Sequence, residues 1–142
     1  MNIPTRDERL KHAKHHCELW NAGKKEEWIA SWRSIVKTDN VVMYDPVGTE
    51  AKKGFDHFTS HAWDLFQSLL KMYLFKVHVN GNEMAWVIEC HFGEGDNVVV
   101  THSIETFQWC DDGSFQIKTY YEMPEALGEK DDPYQYLLDQ NG

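Results

Sequence analysis

Cysteine is scarce in this 142-residue chain, and its three copies, Cys17, Cys90 and Cys110, show no C-x-x-C spacing. An odd, unpaired set argues against a disulfide framework and for a reduced, intracellular protein, so a cytoplasmic location is expected. No run of eighteen apolar residues occurs, so no membrane-spanning helix is expected. The opening MNIPTRDERLKHAKHH has no apolar stretch of the kind a signal peptide needs. Basic residues number 14 against 23 acidic ones, for a net charge of −9, and they form no stripe. Such a surface repels nucleic acid and anionic membrane, so neither is expected as a partner. There is no P-loop, no dinucleotide-binding glycine pattern and no G-x-S-x-G elbow. His12 and His16 stand at i, i+4 on one helix, a spacing that can bind metal, but no third ligand follows at a known distance. A solvated helix face is the expectation for that pair, and neither metal nor cofactor is expected.

Aromatic residues, by contrast, are plentiful at 13%, six of them tryptophan, in a chain that is 42% apolar and 26% charged. That composition suits one domain with a real core, and the aromatics fit either bulky packing or an apolar pocket. Thr5 and Glu8 form a T-x-x-E capping box. Leu10, Ala13, Cys17 and Trp20 then recur at helical spacing up to Asn21-Ala22-Gly23. A second helix is expected over roughly 25–36, buried through Trp28, Ile29, Trp32 and Ile35. VVMYD reads as a short strand, PVGTEAKKG as a loop, and 56–72 as a third helix. The remainder reads as strands: YLFKVHV, a turn at Asn80-Gly81, EMAWVIECHF, NVVVTHSIETFQW and FQIKTYYEM.

Three helices, one early strand and a four-strand meander make an α+β fold, a curved antiparallel sheet with helices on one face. Half-wrapped in this way, such a sheet leaves a cone-shaped cavity, a natural mouth for a small hydrophobic ligand. The expected domain is 1–124. Residues 125–142 form a polar, acidic tail, partly loose, in which Tyr134, Tyr136, Leu137 and Leu138 could dock.

Two carboxylates stand out. Successive strand side chains alternate faces, so Asp45 shares a side with Val41 and Met43, and Glu105 shares one with Phe107 and Trp109. A carboxylate on an apolar face is costly unless paired, neutral or useful. Burial raises a carboxyl pKa, and two carboxyls pushed apart can supply a base and a neutral acid together. The plainer alternatives are a turn-capping role for Asp45 within PVG and a rim charge for Glu105.

DPVG followed closely by KKG, the NAG that ends the first helix, the opening MNIPT, NEMAWVIECHF after a hairpin, and VVVTHSIETF together resemble the ketosteroid isomerases. The resemblance spans roughly residues 1–123. Its superfamily also includes nuclear transport factor two-like proteins, SnoaL-type polyketide cyclases, scytalone dehydratase and limonene epoxide hydrolase. It implies that Asp45 is a general base and that Glu105 stands where the family keeps a protonated acid. His16, five residues before the Asn of NAG, stands where the family has a tyrosine. A neutral imidazole there could still donate one hydrogen bond to a substrate oxygen. The resemblance also implies a homodimer through the outer face of the sheet.

His61 is placed facing the cavity from the third helix. Trp86, Ile88, Phe92, Phe107 and Trp109 are core residues, some of them lining the wall, and Tyr121 is on the same apolar face. His78 and His102 point outward by parity, Tyr44 packs, and Cys90 is inert packing because it has no electropositive partner. The expected activity is acid–base chemistry, as in an isomerase or lyase, on a small carbonyl or hydroxyl compound, with Asp45, His16 and Glu105 as the catalytic set. A binding or dimerisation module of the same fold is the alternative, as is a dehydratase or cyclase using His16 with Asp45. Epoxide hydrolysis would need an Asp–Arg–Asp set, and the only arginines are Arg6, Arg9 and Arg33.

Overall fold

A computed structural model describes residues 3–122 and 132–134. Helix α1 (Arg6–Asn21) starts at the expected box: Glu8 N–H donates to Thr5 Oγ1 at 3.1 Å, and Thr5 N–H donates to Glu8 Oε1 at 2.9 Å. Its inner face is Arg9, His12, Ala13, His16, Cys17 and Trp20. The solvated face expected for His12 and His16 is therefore overturned: the two rings are 3% and 4% exposed and pack on Trp32 and Trp86. Positions 9, 12, 13, 16, 17 and 20 follow helical spacing, but polar residue types occupy half of them and hide the stripe.

Arg9 is tolerable inside because its guanidinium donates to the carbonyls of Gly81 (2.9 Å) and Glu83 (3.3 Å), across the turn of a hairpin. Helix α2 (Lys25–Ile35) buries Trp28, Trp32 and Ile35 against α1 and the sheet.

Six strands follow: β1 (Val41–Tyr44), β2 (Lys52–Lys53), β3 (Leu70–Asn80), β4 (Glu83–Phe92), β5 (Val99–Trp109) and β6 (Phe115–Tyr121). Their order across the sheet is β2-β1-β6-β5-β4-β3, antiparallel throughout except that β1 runs parallel to β6. Strand β2 lies within the stretch expected as loop. Its two residues pair with Val42 and Met43.

The third helix is shorter than its apolar spacing predicts. A π-type turn (His57–His61) runs into α3 (Ala62–Phe66), and Leu70 already pairs with Phe92 and Met72 with Cys90. Cross-strand pairing wins over helical spacing here, helped by α1. Asn21 Nδ2–H donates to Met72 O (2.7 Å), Met72 N–H donates to Asn21 Oδ1 (2.9 Å), and Trp20 Nε1–H donates to Leu70 O (2.9 Å).

The helices cover the concave face, where Met84, Trp86, Ile88, Phe107, Phe115 and Ile117 form the core. Among the described residues no helix is long and apolar enough to cross a membrane. Cys17, Cys90 and Cys110 are all free thiols.

Candidate active site

Between α1, α2, α3 and the concave sheet lies a cavity of about 80 Å³. That is room for several water molecules or one compact ligand. Strand alternation aims Met43 and Asp45, Glu105 and Phe107, and Ile117, Thr119 and Tyr121 into it. The helices supply His16, Trp20, Trp28, Trp32, Phe58 and Phe66.

Asp45 does not cap its own turn. The turn is closed without it: Thr49 Oγ1–H donates to Pro46 O (2.8 Å), and Val47 N–H donates to Thr119 O (2.9 Å). The carboxylate instead accepts two phenols, Tyr121 O–H on Oδ1 at 2.5 Å and Tyr134 O–H on Oδ2 at 3.1 Å. Behind it, Lys52 Nζ donates to Asp132 Oδ2 (2.7 Å), to Thr49 Oγ1 (3.0 Å) and to the Asp45 carbonyl (3.3 Å). Both side chains of the Lys52–Asp132 pair are buried.

Burial pushes the Asp45 pKa up, and the two phenols and the Lys52 charge pull against that rise. Glu105 is pushed to about 8, first by burial and then by the charge on Asp45. No described side chain hydrogen-bonds its carboxyl group. The two acids therefore titrate as a pair. The two phenol O–H groups favour the negative charge on Asp45, and burial beside that charge favours the proton on Glu105.

His16 is held well below the usual imidazole range by burial and by neighbouring His12, so it is neutral. His12, which is hydrogen-bonded to Ser31 Oγ at 2.7 Å, falls to about 3 for the same reason of burial. One apolar chamber thus holds two carboxyls raised by burial, one of them bound by two phenols, and a neutral imidazole.

Of the residues expected in the site, Asp45, His16, Glu105, Phe92, Phe107 and Tyr121 line the cavity together. Trp86 and Ile88 have no free surface and form the packing layer beneath. Trp109 is buried away from the cavity wall, its indole N–H donating to Ile35 O at 2.9 Å. His61 stands outside the lining beside His57 and Tyr134, and its neighbour Ala62 takes the lining position. Cys90 lines the cavity, yet burial pushes its thiol up to about 12, so it is no nucleophile. His78 and His102 face solvent.

Sequence spacing missed Lys52 and Asp132, and it gave Tyr134 as a residue that could dock, as it does, but not as a partner of Asp45. Lys52 sits in a polar loop string, and the other two lie in the presumed tail. Of the docking residues named there, only Tyr134 is described. Tyr136, Leu137 and Leu138 lie outside the described residues, as do Met123 at the expected end of the last strand and Pro124.

No protein-family model and no curated protein matches this sequence. Solved structures do. The epoxide hydrolase/cyclase-like enzyme SalBIII, described in pyran ring formation in the polyether salinomycin, superposes with a TM-score of 0.64 at 14% identity, over 82% of this chain and 92% of its own. A protein described as a SnoaL-like polyketide cyclase, from Jannaschia sp. CCS1, gives 0.60 at 13% identity, over 86% and 90%. An NTF2-like protein of unknown function from Cytophaga hutchinsonii gives 0.54 at 13%, over 86% and 93%. Identities this low speak to architecture. The chain has the nuclear transport factor two-like, SnoaL-like fold, a cone-shaped half barrel wrapped by three helices.

Proposed function

We propose that the protein is an acid–base enzyme, an isomerase or lyase needing no cofactor, that acts on a small hydrophobic carbonyl or hydroxyl compound. The observation that carries this is the pairing of Asp45 with Glu105. The two carboxyls occupy one apolar cavity, one solvated by two phenols and the other without a hydrogen bond from any described side chain and raised to about 8. Asp45 takes a proton from the carbon beside the carbonyl. Glu105, still protonated, and neutral His16 offer neutral donors to the oxygen where charge develops, which suits a site too apolar for an imidazolium. Elimination of water, or ring closure of an enolised substrate, would use the same groups with His16 working beside Asp45.

Epoxide hydrolysis with an Asp–Arg–Asp set is disfavoured. Arg9 is committed to backbone carbonyls and Arg33 to Asp39, and no arginine is among the described residues of the cavity wall. We place the protein in a reducing cytoplasmic compartment, on its free thiols, and as a homodimer through the outer sheet face.

The test is exchange of the alpha proton in deuterated water over a panel of steroid enones and smaller cyclic ketones, with wild type beside Asp45→Asn. Exchange that falls by a hundredfold or more in the variant, roughly the worth of a general base, supports the enzyme. Binding of panel members with no exchange by any of them sinks enolisation and leaves dehydration or plain ligand binding.

A further inference from the structure

We propose that Tyr134, from the C-terminal segment, is a positioning residue of this site. Its hydroxyl, anchored through Asp132 and Lys52, holds the Asp45 carboxylate ionised and aimed. The inference rests on Asp45 being the base proposed above.

The bonds around Asp45 close a loop. The Asp45 carbonyl accepts from Lys52 Nζ (3.3 Å), and Lys52 Nζ donates to Asp132 Oδ2 (2.7 Å). Asp132 Oδ1 accepts the Tyr134 N–H (3.0 Å), and the Tyr134 O–H returns to Asp45 Oδ2 (3.1 Å). Every member beyond Asp45 is buried, and the Tyr134 ring is wedged edge-on against Phe66 with centroids 4.7 Å apart.

Tyr121 already fixes Oδ1. With Oδ2 also held, the carboxylate has both oxygens fixed and its orientation set. A base held in one orientation needs no reordering before it takes a proton. Part of the base's environment therefore arrives from a segment nearly ninety residues away along the chain.

The charged and titratable groups around Asp45 are Lys52, Asp132, Glu105, the Cys90 thiol and the two phenols. Of these, Tyr121 and Tyr134 alone donate to the carboxylate oxygens among the described residues. A purely packing role for the Tyr134 ring would survive loss of the hydroxyl. The proposed role would not.

The test is a ¹³C titration of the Asp45 carboxyl, identified by its absence in Asp45→Asn, in wild type, Tyr134→Phe, Tyr121→Phe and the exposed control Tyr120→Phe. Losing a hydrogen bond to a charged acceptor is expected to raise the Asp45 midpoint by about one pH unit in Tyr134→Phe. The rise should be similar or larger in Tyr121→Phe and absent in Tyr120→Phe. The acid limb of the proton-exchange profile should move up with it.

An unchanged midpoint in folded Tyr134→Phe overturns the proposal while leaving the enzyme intact. A shifted midpoint in a protein that exchanges no ketone sinks the enzyme and leaves the hydrogen bond. Should Tyr134→Phe not fold, the wild type decides. A protected Tyr134 hydroxyl proton shifted far downfield, as a bond to a carboxylate requires and one to the Met43 sulfur (3.9 Å) does not, supports the proposal, and one that exchanges freely or is unshifted refutes it.

Discussion

Glu105 is half-buried against the cavity and His12 is buried, yet loss of water acts on them in opposite directions, and the two should oppose each other in the pH dependence of stability. Glu105 has a folded pKa of about 8 against an ordinary 4.5, so the folded protein holds a proton that the unfolded chain releases across that window. Stability is then full below about 4.5 and falls as pH rises towards about 8. Glu105→Gln should remove that decline and gain on the order of a few kcal/mol near pH 8.5, measured by urea unfolding across the range. His12 falls from 6.5 to about 3, so the unfolded chain takes up a proton that the native state refuses. Its contribution is intact above 6.5 and is lost as pH falls towards 3, and His16 acts in the same direction. In a Glu105→Gln, Asp45→Asn background, where both raised carboxyls are gone, the urea midpoint should drop steadily from pH 7 to pH 4. A flat midpoint there would mean that the imidazoles are not buried as described.

At the scale of elements, boundaries were set by pairing and by backbone geometry more than by propensity. The stretch at 67–72 has helical apolar spacing but is drawn into β3, because β4 offers a partner and Asn21 clamps Met72 on both its backbone groups. Between Leu74 and Lys76 the register slips by a bulge, which leaves Phe75 (71%) and Lys76 exposed in succession and turns Val77 and Val79 inward. The β4–β5 turn depends on Gly93. Its φ is +109°, and a methyl group there would lie 2.3 Å from the Asn97 carbonyl oxygen. Gly93→Ala should therefore lower stability by roughly 1–3 kcal/mol, read as a drop in thermal midpoint. An unchanged midpoint would show that the turn can relax.

For the whole molecule, the outer sheet face carries Tyr73, Phe75, Val100, Ile104 and Tyr120 in the open. Apolar side chains gathered on one face of a small protein mark a contact surface more often than chance exposure. The proposed homodimer predicts a dimer by sedimentation velocity at micromolar protein, and a monomer after Ile104→Glu, with the far-ultraviolet dichroism of the wild type. A wild-type monomer at those concentrations removes the dimer.

Local patterns carried a good part of this protein. The capping box, the tryptophan stripe of α2, and the period-two alternation of β4, β5 and β6 are effects of near neighbours. They suffice for an α+β cone and for Asp45 and Glu105 facing its interior. Alternation fixes which face a side chain points to, but not how far along the strand the cavity reaches. That is why Phe107 lines the wall while Trp86, Ile88 and Trp109 do not. The inner face of α1 was hidden because Arg9, His12 and His16 have polar names, and only packing against Trp32, Trp86 and the hairpin carbonyls makes them interior residues. The partners of Asp45 were least legible of all. Alternation put Tyr121 on the cavity face, but Lys52, Asp132 and Tyr134 come from two further stretches of chain, and no local period relates them to Asp45. Sequence alone determined which residues have the chemistry and which face of each strand they occupy. The tertiary structure decided which of them meet, because a hydrogen bond is set by distance in space and not by separation along the chain.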